Sequence, residues 1–372
     1  MREFTYTVPL PAGTEEDTRL YFDIETTGFS RSRTMLYLIG CGRQENDTFV
    51  IRQWFNDDGE SEKSILEAFS DAVSSSSRIL CTFNGESFDI PYLKDHYDHH
   101  GLTDPFSGCR SFDYYKILRP WQKLFGMDQG SQKAWELFLG IKREDRFDGG
   151  QLIGVYQDYL TSRDDAALYE LLLHNREDIE GMLSLKSLEA YREITRGTFT
   201  ADDIRMTDSG NLKVTCRLKD PVPVPFEVLS ETAIRARENS LIIEIPCLQG
   251  ELKYFYDNYK DYYYLPDEDR AIHRSVGRYV DRKHRKAARA SNCYMRKDGI
   301  FLPLPSCHGK YGFSVSKTEH YASSLAFFRH SHNDRTAYVE AESLAESGKS
   351  VFIRFLCDTM KAAFIEEISK NQ

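Results

Sequence analysis

Asp23 and Glu25, in the run YFDIETTGF at residues 21 to 29, stand two positions apart. On a strand, that spacing puts both carboxylates on one side. Two carboxylates held together repel unless a cation lies between them, and a hard, oxygen-seeking ion such as Mg²⁺ or Mn²⁺ is the usual partner. Taken alone the signal is weak. A chain with 58 Asp and Glu residues yields acid-x-acid triplets by chance, and a surface pair explains one equally well. A second run, TFNGESFDIPYL at 82 to 93, reads as a strand, an Asn84-Gly85 turn, and Asp89 near the start of a helix. Asp89 there could serve chemistry or simply cap the helix. Asn84 could bond a phosphate or a sugar and Gly85 would let the backbone approach closely, although a plain turn needs the same residues. In the third run, LHNREDIEGM at 173 to 182, His174 and Asp178 are four apart and share a helix face, as a surface pair also would. Asp113, in CRSFDYYKIL, reads as a structural acid near the sheet edge.

These residues need a scaffold, and the patterning supplies one. Arg19 to Ile24, Met35 to Gly42 and Thr48 to Phe55 read as strands, Ser61 to Val73 as a helix, and Arg78 to Phe83 as a short apolar strand before a helix starting near Phe88. Further helices are expected at Ser131 to Leu139, Gly150 to Leu160 and, with the strongest periodicity, Asp164 to Ile194. Three strands followed by alternating helix and strand predict an α/β domain over residues 1–196, in which functional residues gather at strand ends.

Taken together and in order, DIETTG, the F-N-G-x-x-F-D-x-P-Y-L run and the N-x-x-D helix resemble the four-carboxylate (DEDD) exonucleases of the RNase H-like superfamily. More narrowly, the chain is similar to predicted bacterial exonucleases with a YprB-like RNase H-like domain. SQKAWELFLGIKR at 131 to 143 also looks like that family's connecting helix and Leu-Gly-Ile-x-Arg turn. The resemblance covers roughly residues 18–195. It implies a mixed five-stranded sheet flanked by helices and a 3′ to 5′ exonuclease that hydrolyses DNA or RNA with two Mg²⁺ or Mn²⁺ ions. By the same resemblance, Asp23 bridges the two ions, Glu25 and Asp178 complete the ligands of the first, and Asp89 holds the second. Thr26, Thr27 and Gly28 would offer backbone N–H groups to the terminal nucleotide, Phe29 a stacking surface, and Asn84 a polar contact. Relatives carry a Tyr four residues before the last Asp or a His five before it. Here His174 occupies the tyrosine spacing, and an imidazole suits a base at neutral pH better than a phenol.

Hydrophobic residues make up 41% and charged residues 28% of the 372, an ordinary globular mixture long enough for two domains. The first twenty residues lack the apolar core of a signal peptide, and the eight cysteines form no C-x-x-C pair. A cytoplasmic protein with no membrane span is therefore expected. Cys307-His308 has no partners at ligand spacing, which argues against zinc. The formal net charge of -10 is unevenly spread, for residues 1–196 are strongly acidic while residues 197–372 are close to neutral. An acidic half can gather divalent cations and meet phosphates through them.

Residues 197–372 read as a second, α+β domain of no recognised type. It holds strands at Leu212 to Leu218, Phe226 to Leu229, Leu241 to Ile245 and Leu252 to Tyr256, and a helix at Ser350 to Glu367. Its tyrosine-rich run from Tyr254 to Tyr264 leads into Arg270, Arg274, Arg278 and Arg282, a basic stripe if helical, which suits nucleic-acid contact. Sheet core and a solvated basic face are the plainer explanations. Two other functions fit the same motifs: a structure-specific RNase H-like endonuclease, and a non-catalytic nucleic-acid-binding protein that keeps the nuclease fold as a scaffold.

Overall fold

Along β2 (Leu20–Thr26), Leu20, Phe22 and Ile24 alternate with Tyr21, Asp23 and Glu25, and the two sets face different layers. The computed structural model describes residues 1–305, 307 and 309–371, so His308 lies outside the described residues. The chain divides into two compact units, Met1–Glu189 and Ala190–Gln372.

In the first unit, β1 (Arg2–Pro9), β2, β3 (Leu36–Glu45), β4 (Thr48–Phe55), β5 (Ile79–Thr82) and β6 (Arg110–Asp113) form one sheet in the order β1-β4-β3-β2-β5-β6. The first four pair antiparallel, and β2-β5-β6 run parallel. The sheet is thus mixed and helix-flanked as expected, but six-stranded rather than five-stranded. The extra strand is β1, an edge strand without a fully buried residue, whose sequence lacks the apolar signal of a core strand.

One face carries Leu20, Phe22, Ile24 and Ile39 against α1 (Glu62–Ser74) and α2 (Asp89–His99). The helix α3 (Tyr114–Leu124) follows β6 and includes Pro120. The opposite face packs Tyr37, Leu38 and Phe55 against α5 (Gly149–Ser162) and α6 (Asp165–Ser184), with α4 (Gln132–Phe138) alongside α6. The long helix expected to reach Ile194 ends at Ser184. A 3-10 turn, Leu185–Leu188, and a separate helix, Glu189–Arg196, follow it.

The approach of α6 to the sheet depends on a glycine. Gly40 on β3 pairs with Asp23, and a Cβ there would lie 2.0 Å from Asn175 Oδ1 and 2.5 Å from Ile179 Cδ1. Both atoms belong to α6, so a methyl group at position 40 would push that helix off β2.

The second unit begins with a three-stranded antiparallel sheet, β7 (Phe199–Met206), β8 (Leu212–Leu229) and β9 (Ala233–Ile245). The two strands expected at Leu212 to Leu218 and Phe226 to Leu229 are one continuous strand whose register shifts near Val222. A small closed barrel combines β10 (Leu248–Phe255) with β14 (Tyr294–Pro303), β15 (Phe328–Arg329) and β16 (Tyr338–Glu340). Between β10 and β14 the chain makes a third sheet, β12-β11-β13, from β11 (Tyr262–Leu265), β12 (Arg270–His273) and β13 (Lys286–Ala287). A 22-residue helix, Lys349–Lys370, buries Phe355, Leu356 and Phe364. No helix among the described residues is long and apolar enough to cross a membrane.

Gly40→Ala is expected to cost about 1–3 kcal/mol through overpacking. Scanning calorimetry of the metal-free protein reads it as a lowered Tm. An unchanged Tm would mean that α6 can retreat from β3 without penalty.

Candidate active site

Asp23 and Glu25 leave β2 on the side facing α6, where His174, Asn175 and Asp178 stand close together along the helix. Asp89 arrives as the first residue of α2. The parallel pairing of β2 with β5 involves Leu20 and Tyr21, and beyond it Ile24 donates its N–H to Asp89 Oδ1 at 3.3 Å. The Asp89 carboxylate thus continues the ladder where β5 stops. Asp113, the N-cap of α3, accepts N–H bonds from Asn84, Glu86 and Tyr115, which holds the turn leading to Asp89.

Each of the four carboxylates has one oxygen tied to a protein donor. Asp23 Oδ2 accepts from Asn175 Nδ2 at 3.0 Å, and Glu25 Oε2 from the Tyr37 hydroxyl at 3.5 Å. Asp89 uses Oδ1 on Ile24 N–H, and Asp178 Oδ1 lies 2.7 Å from Arg143 Nη1. The second oxygens of Glu25 and Asp178 face the imidazole of His174. Glu25 Oε1 and Asp178 Oδ2 stand 3.7 Å and 3.4 Å from His174 Nε2. One ligand atom from each of Glu25, His174 and Asp178 fits within 4.8 Å of the others, close enough to share a metal ion.

Supporting this cluster are residues to which sequence reasoning assigns no role. His174 Nδ1 meets Asp145 Oδ2 at 2.7 Å, and the same oxygen pairs with Lys133 Nζ at 2.6 Å. Burial works to raise the Asp145 carboxyl, but Lys133, the Phe147 N–H and His174 outweigh it and hold Asp145 below the ordinary carboxylate range. Arg143 is forked onto Glu136 at 2.5 and 2.6 Å while reaching Asp178. Gly181 makes room for that fork, since a Cβ there would lie 1.9 Å from Glu136 Oε1. Gln53 donates to Asn175 Oδ1 at 2.8 Å, which orients the Asn175 amide toward Asp23. Asn175 and Arg143 lie within the N-x-x-D and Leu-Gly-Ile-x-Arg patterns. Nothing in the sequence singles out Asp145, Tyr37 or Gln53.

The loop after β2 is less open than its sequence suggests. Thr27 N–H donates to the Met35 carbonyl, and the Thr26 and Thr34 hydroxyls both close on the Gly28 carbonyl. Thr26 and Thr27 therefore shape the loop, and the Thr27 N–H is already engaged. Phe29 is 86% exposed, with its ring 6.0 Å from the Phe88 ring beside Asp89. Asn84 sits in the left-handed region at φ 67, a conformation that Asn tolerates better than most residues.

Burial and mutual repulsion act on the acids together. Burial first, then Asp178, Asp89 and Glu25, push the Asp23 carboxyl well above its ordinary value. Burial followed by Asp178 and Asp89 does the same to Glu25, while burial lifts Asp89 to about 7. A hard cation would relieve that repulsion, and the carboxylate donors fit Mg²⁺ or Mn²⁺.

Residues 20–189 match the RNase H superfamily model. The first unit is an RNase H-like domain. No curated protein matches the chain. Solved structures it is similar to include the family B DNA polymerase of the hyperthermophilic archaeon Pyrobaculum calidifontis, at 13% identity and TM-score 0.39 over 65% of this chain and 35% of that one. Exonuclease I of E. coli in complex with a dA16 oligonucleotide matches at 12% identity and TM-score 0.28, over 55% of each chain. A moderately thermophilic exonuclease I from Methylocaldum szegediense matches at 13% and 0.28, over 54% of each. The matched region thus spans about a third of the polymerase and just over half of the two exonucleases.

The raised carboxyls give the metal-free RNase H-like domain a pH dependence of definite sign. Folded, they retain protons that the unfolded chain releases above about pH 4. Their contribution to stability is therefore full below that pH and is lost as pH rises, through about 7 for Asp89. Asp23→Asn removes one of these groups, so in EDTA its Tm is expected to exceed that of the wild type at about pH 8 and to fall less steeply with pH. A mutant Tm below wild type across that range would rule out the repulsion described here.

Proposed function

We propose that this chain is a metal-dependent 3′ to 5′ exonuclease acting on DNA or RNA, in which Asp23, Glu25, Asp89 and Asp178 hold two divalent ions, Mg²⁺ or Mn²⁺. The observation that carries this reading is the convergence of four acids, Glu25 and Asp89 among them buried, each with one oxygen fixed by the protein. When bound, the ions would supply Lewis acidity to the scissile phosphate and a water acidic enough to attack it.

The chain's own residues supply orientation and proton transfer. Asp145, anchored by Lys133, holds His174 by Nδ1 and turns Nε2 toward Glu25 and Asp178. That orientation supports a reading in which His174 takes the proton of the attacking water. Arg143 anchors Asp178 and offsets part of the cluster's negative charge. The exposed Phe29 ring offers a face for the terminal base, and Gly28 and Asn84 would contact the same nucleotide. Thr26 and Thr27 contribute by holding the loop that presents Phe29. All eight cysteines are free, which suits the reducing cytoplasm as the place of action.

Digestion of 5′-labelled single- and double-stranded DNA and RNA in Mg²⁺, Mn²⁺ or EDTA tests the reading. A ladder of products shortened from the 3′ end, abolished by EDTA and by Asp23→Ala, is expected. A ladder that survives Asp23→Ala would sink the site assignment, and cutting of a circular substrate would redirect it to the endonuclease. For His174→Ala, single-turnover kinetics should show a loss of about 10²–10⁴ in rate. An unchanged rate would remove His174 from the chemistry.

A further inference from the structure

The basic, aromatic stretch of the second unit has no part in the catalytic proposal, and its geometry differs from the helical stripe that its spacing suggests. Arg270 lies on β12, Arg274 opens a one-turn helix, Arg274–Gly277, and Arg282 opens a 3-10 turn, Arg282–His284. The arginine spacing of four is therefore not one helix face. It is distributed over a strand and short turns around β11.

Those pieces hold rings and guanidinium groups together. Tyr263 on β11 is approached by the guanidinium groups of Arg274, at 5.2 Å, and Arg285, at 4.6 Å. Arg285 also donates to the Gly277 carbonyl, which ties the one-turn helix to the sheet. The Arg278 guanidinium lies 4.9 Å from the ring of Tyr279 and donates to its hydroxyl at 2.9 Å. Tyr279 is nonetheless 78% exposed.

Acids nearby are already engaged. Asp267 pairs with His284, Glu268 with Arg270, and Asp281 with Lys283. Asp269 accepts from the hydroxyls of Tyr264 and Tyr294. Arg274, Arg278, Arg282 and Lys286 are exposed and form no ion pair among the described residues. Arg274 and Arg278, one turn apart and next to the exposed Tyr279 ring, call for a ligand that carries both anionic groups and flat faces.

We propose that the face formed by Arg274, Arg278 and Tyr279 binds single-stranded nucleic acid, with backbone phosphates on the cations and a base stacked on Tyr279. A duplex offers phosphates but keeps its base faces stacked inside, so it cannot use the exposed ring. A membrane surface is met by a helix with a continuous apolar face, and the helix here is four residues long. DNA and RNA share the chemistry that this face would recognise. The proposal has only the class of substrate in common with the catalytic one. Measured without divalent ions, binding succeeds or fails independently of cleavage.

Fluorescence anisotropy of the full chain in EDTA, with labelled oligonucleotides, provides the test. Single-stranded DNA, single-stranded RNA and duplex DNA form its three arms. Tyr279→Ala is expected to weaken single-strand binding roughly tenfold and duplex binding little, with Tyr279→Phe close to wild type. The double substitution Arg274→Glu, Arg278→Glu should weaken it further and flatten the dependence of log K on log salt by about 0.7 for each phosphate no longer neutralised. Tighter binding in the DNA or the RNA arm supports the proposal and names the preferred strand. Single-strand binding untouched by either variant overturns it. So does a loss confined to the charge reversal and equal for duplex, which would reduce this face to a general anion attractor. Binding to phosphatidylserine vesicles but to no oligonucleotide overturns it as well.

Discussion

Carboxylates brought together out of water repel far more strongly than they would on a surface, because neither solvent nor salt screens them. Glu25 and Asp89 are in that situation with Asp23 half-buried beside them, each lifted from its ordinary titration range by burial and by neighbouring acids. Much of the first unit can be understood as the arrangement that tolerates this repulsion. Asn175, Tyr37, the Ile24 N–H and Arg143 each satisfy one carboxylate oxygen. Gln53 and Glu136 in turn fix Asn175 and Arg143. Gly40 and Gly181 let these layers come close enough to work. In the function proposed above, this arrangement would hold the acids for a divalent cation.

The acids are legible in the sequence because each lies in a run whose local structure is also legible. Strand alternation puts Asp23 beside Glu25, and helix periodicity puts His174 beside Asp178. Asp89 follows a turn whose Asn-Gly pair marks it. Their partners are hidden for a physical reason. Asp145 lies on a connecting segment without periodicity, and its bond to His174 spans 29 residues. Tyr37 and Gln53 look like ordinary members of alternating strands, and only the packed sheet reveals their bonds to Glu25 and Asn175. The edge strand β1 escapes notice on similar grounds, since an element that buries little leaves little pattern.

The second unit shows the opposite weakness of spacing arguments. Arginines four apart imply a stripe only if a helix carries them, and here tertiary pairing into β12 and two short turns takes precedence over that periodicity. What survives is the chemistry of the residues rather than their geometry: cations without acidic partners, and tyrosines held among guanidinium groups. Composition alone divides the chain into an acidic part and one nearly balanced in charge. Each part has a physical use in the reading proposed above, metal gathering in the first and an open cationic face in the second.

If four carboxylates are held together for divalent metal, the ion itself should bind without any substrate. Titration of metal-free protein with Mn²⁺, followed by calorimetry and by the decline of the free-ion electron paramagnetic resonance signal, reports this directly. Saturable binding of two ions is expected, severely weakened by Asp23→Asn and also impaired by Gly40→Ala through the displaced α6. No saturable Mn²⁺ binding, or binding that Asp23→Asn leaves intact, would show that these acids are gathered for something other than metal.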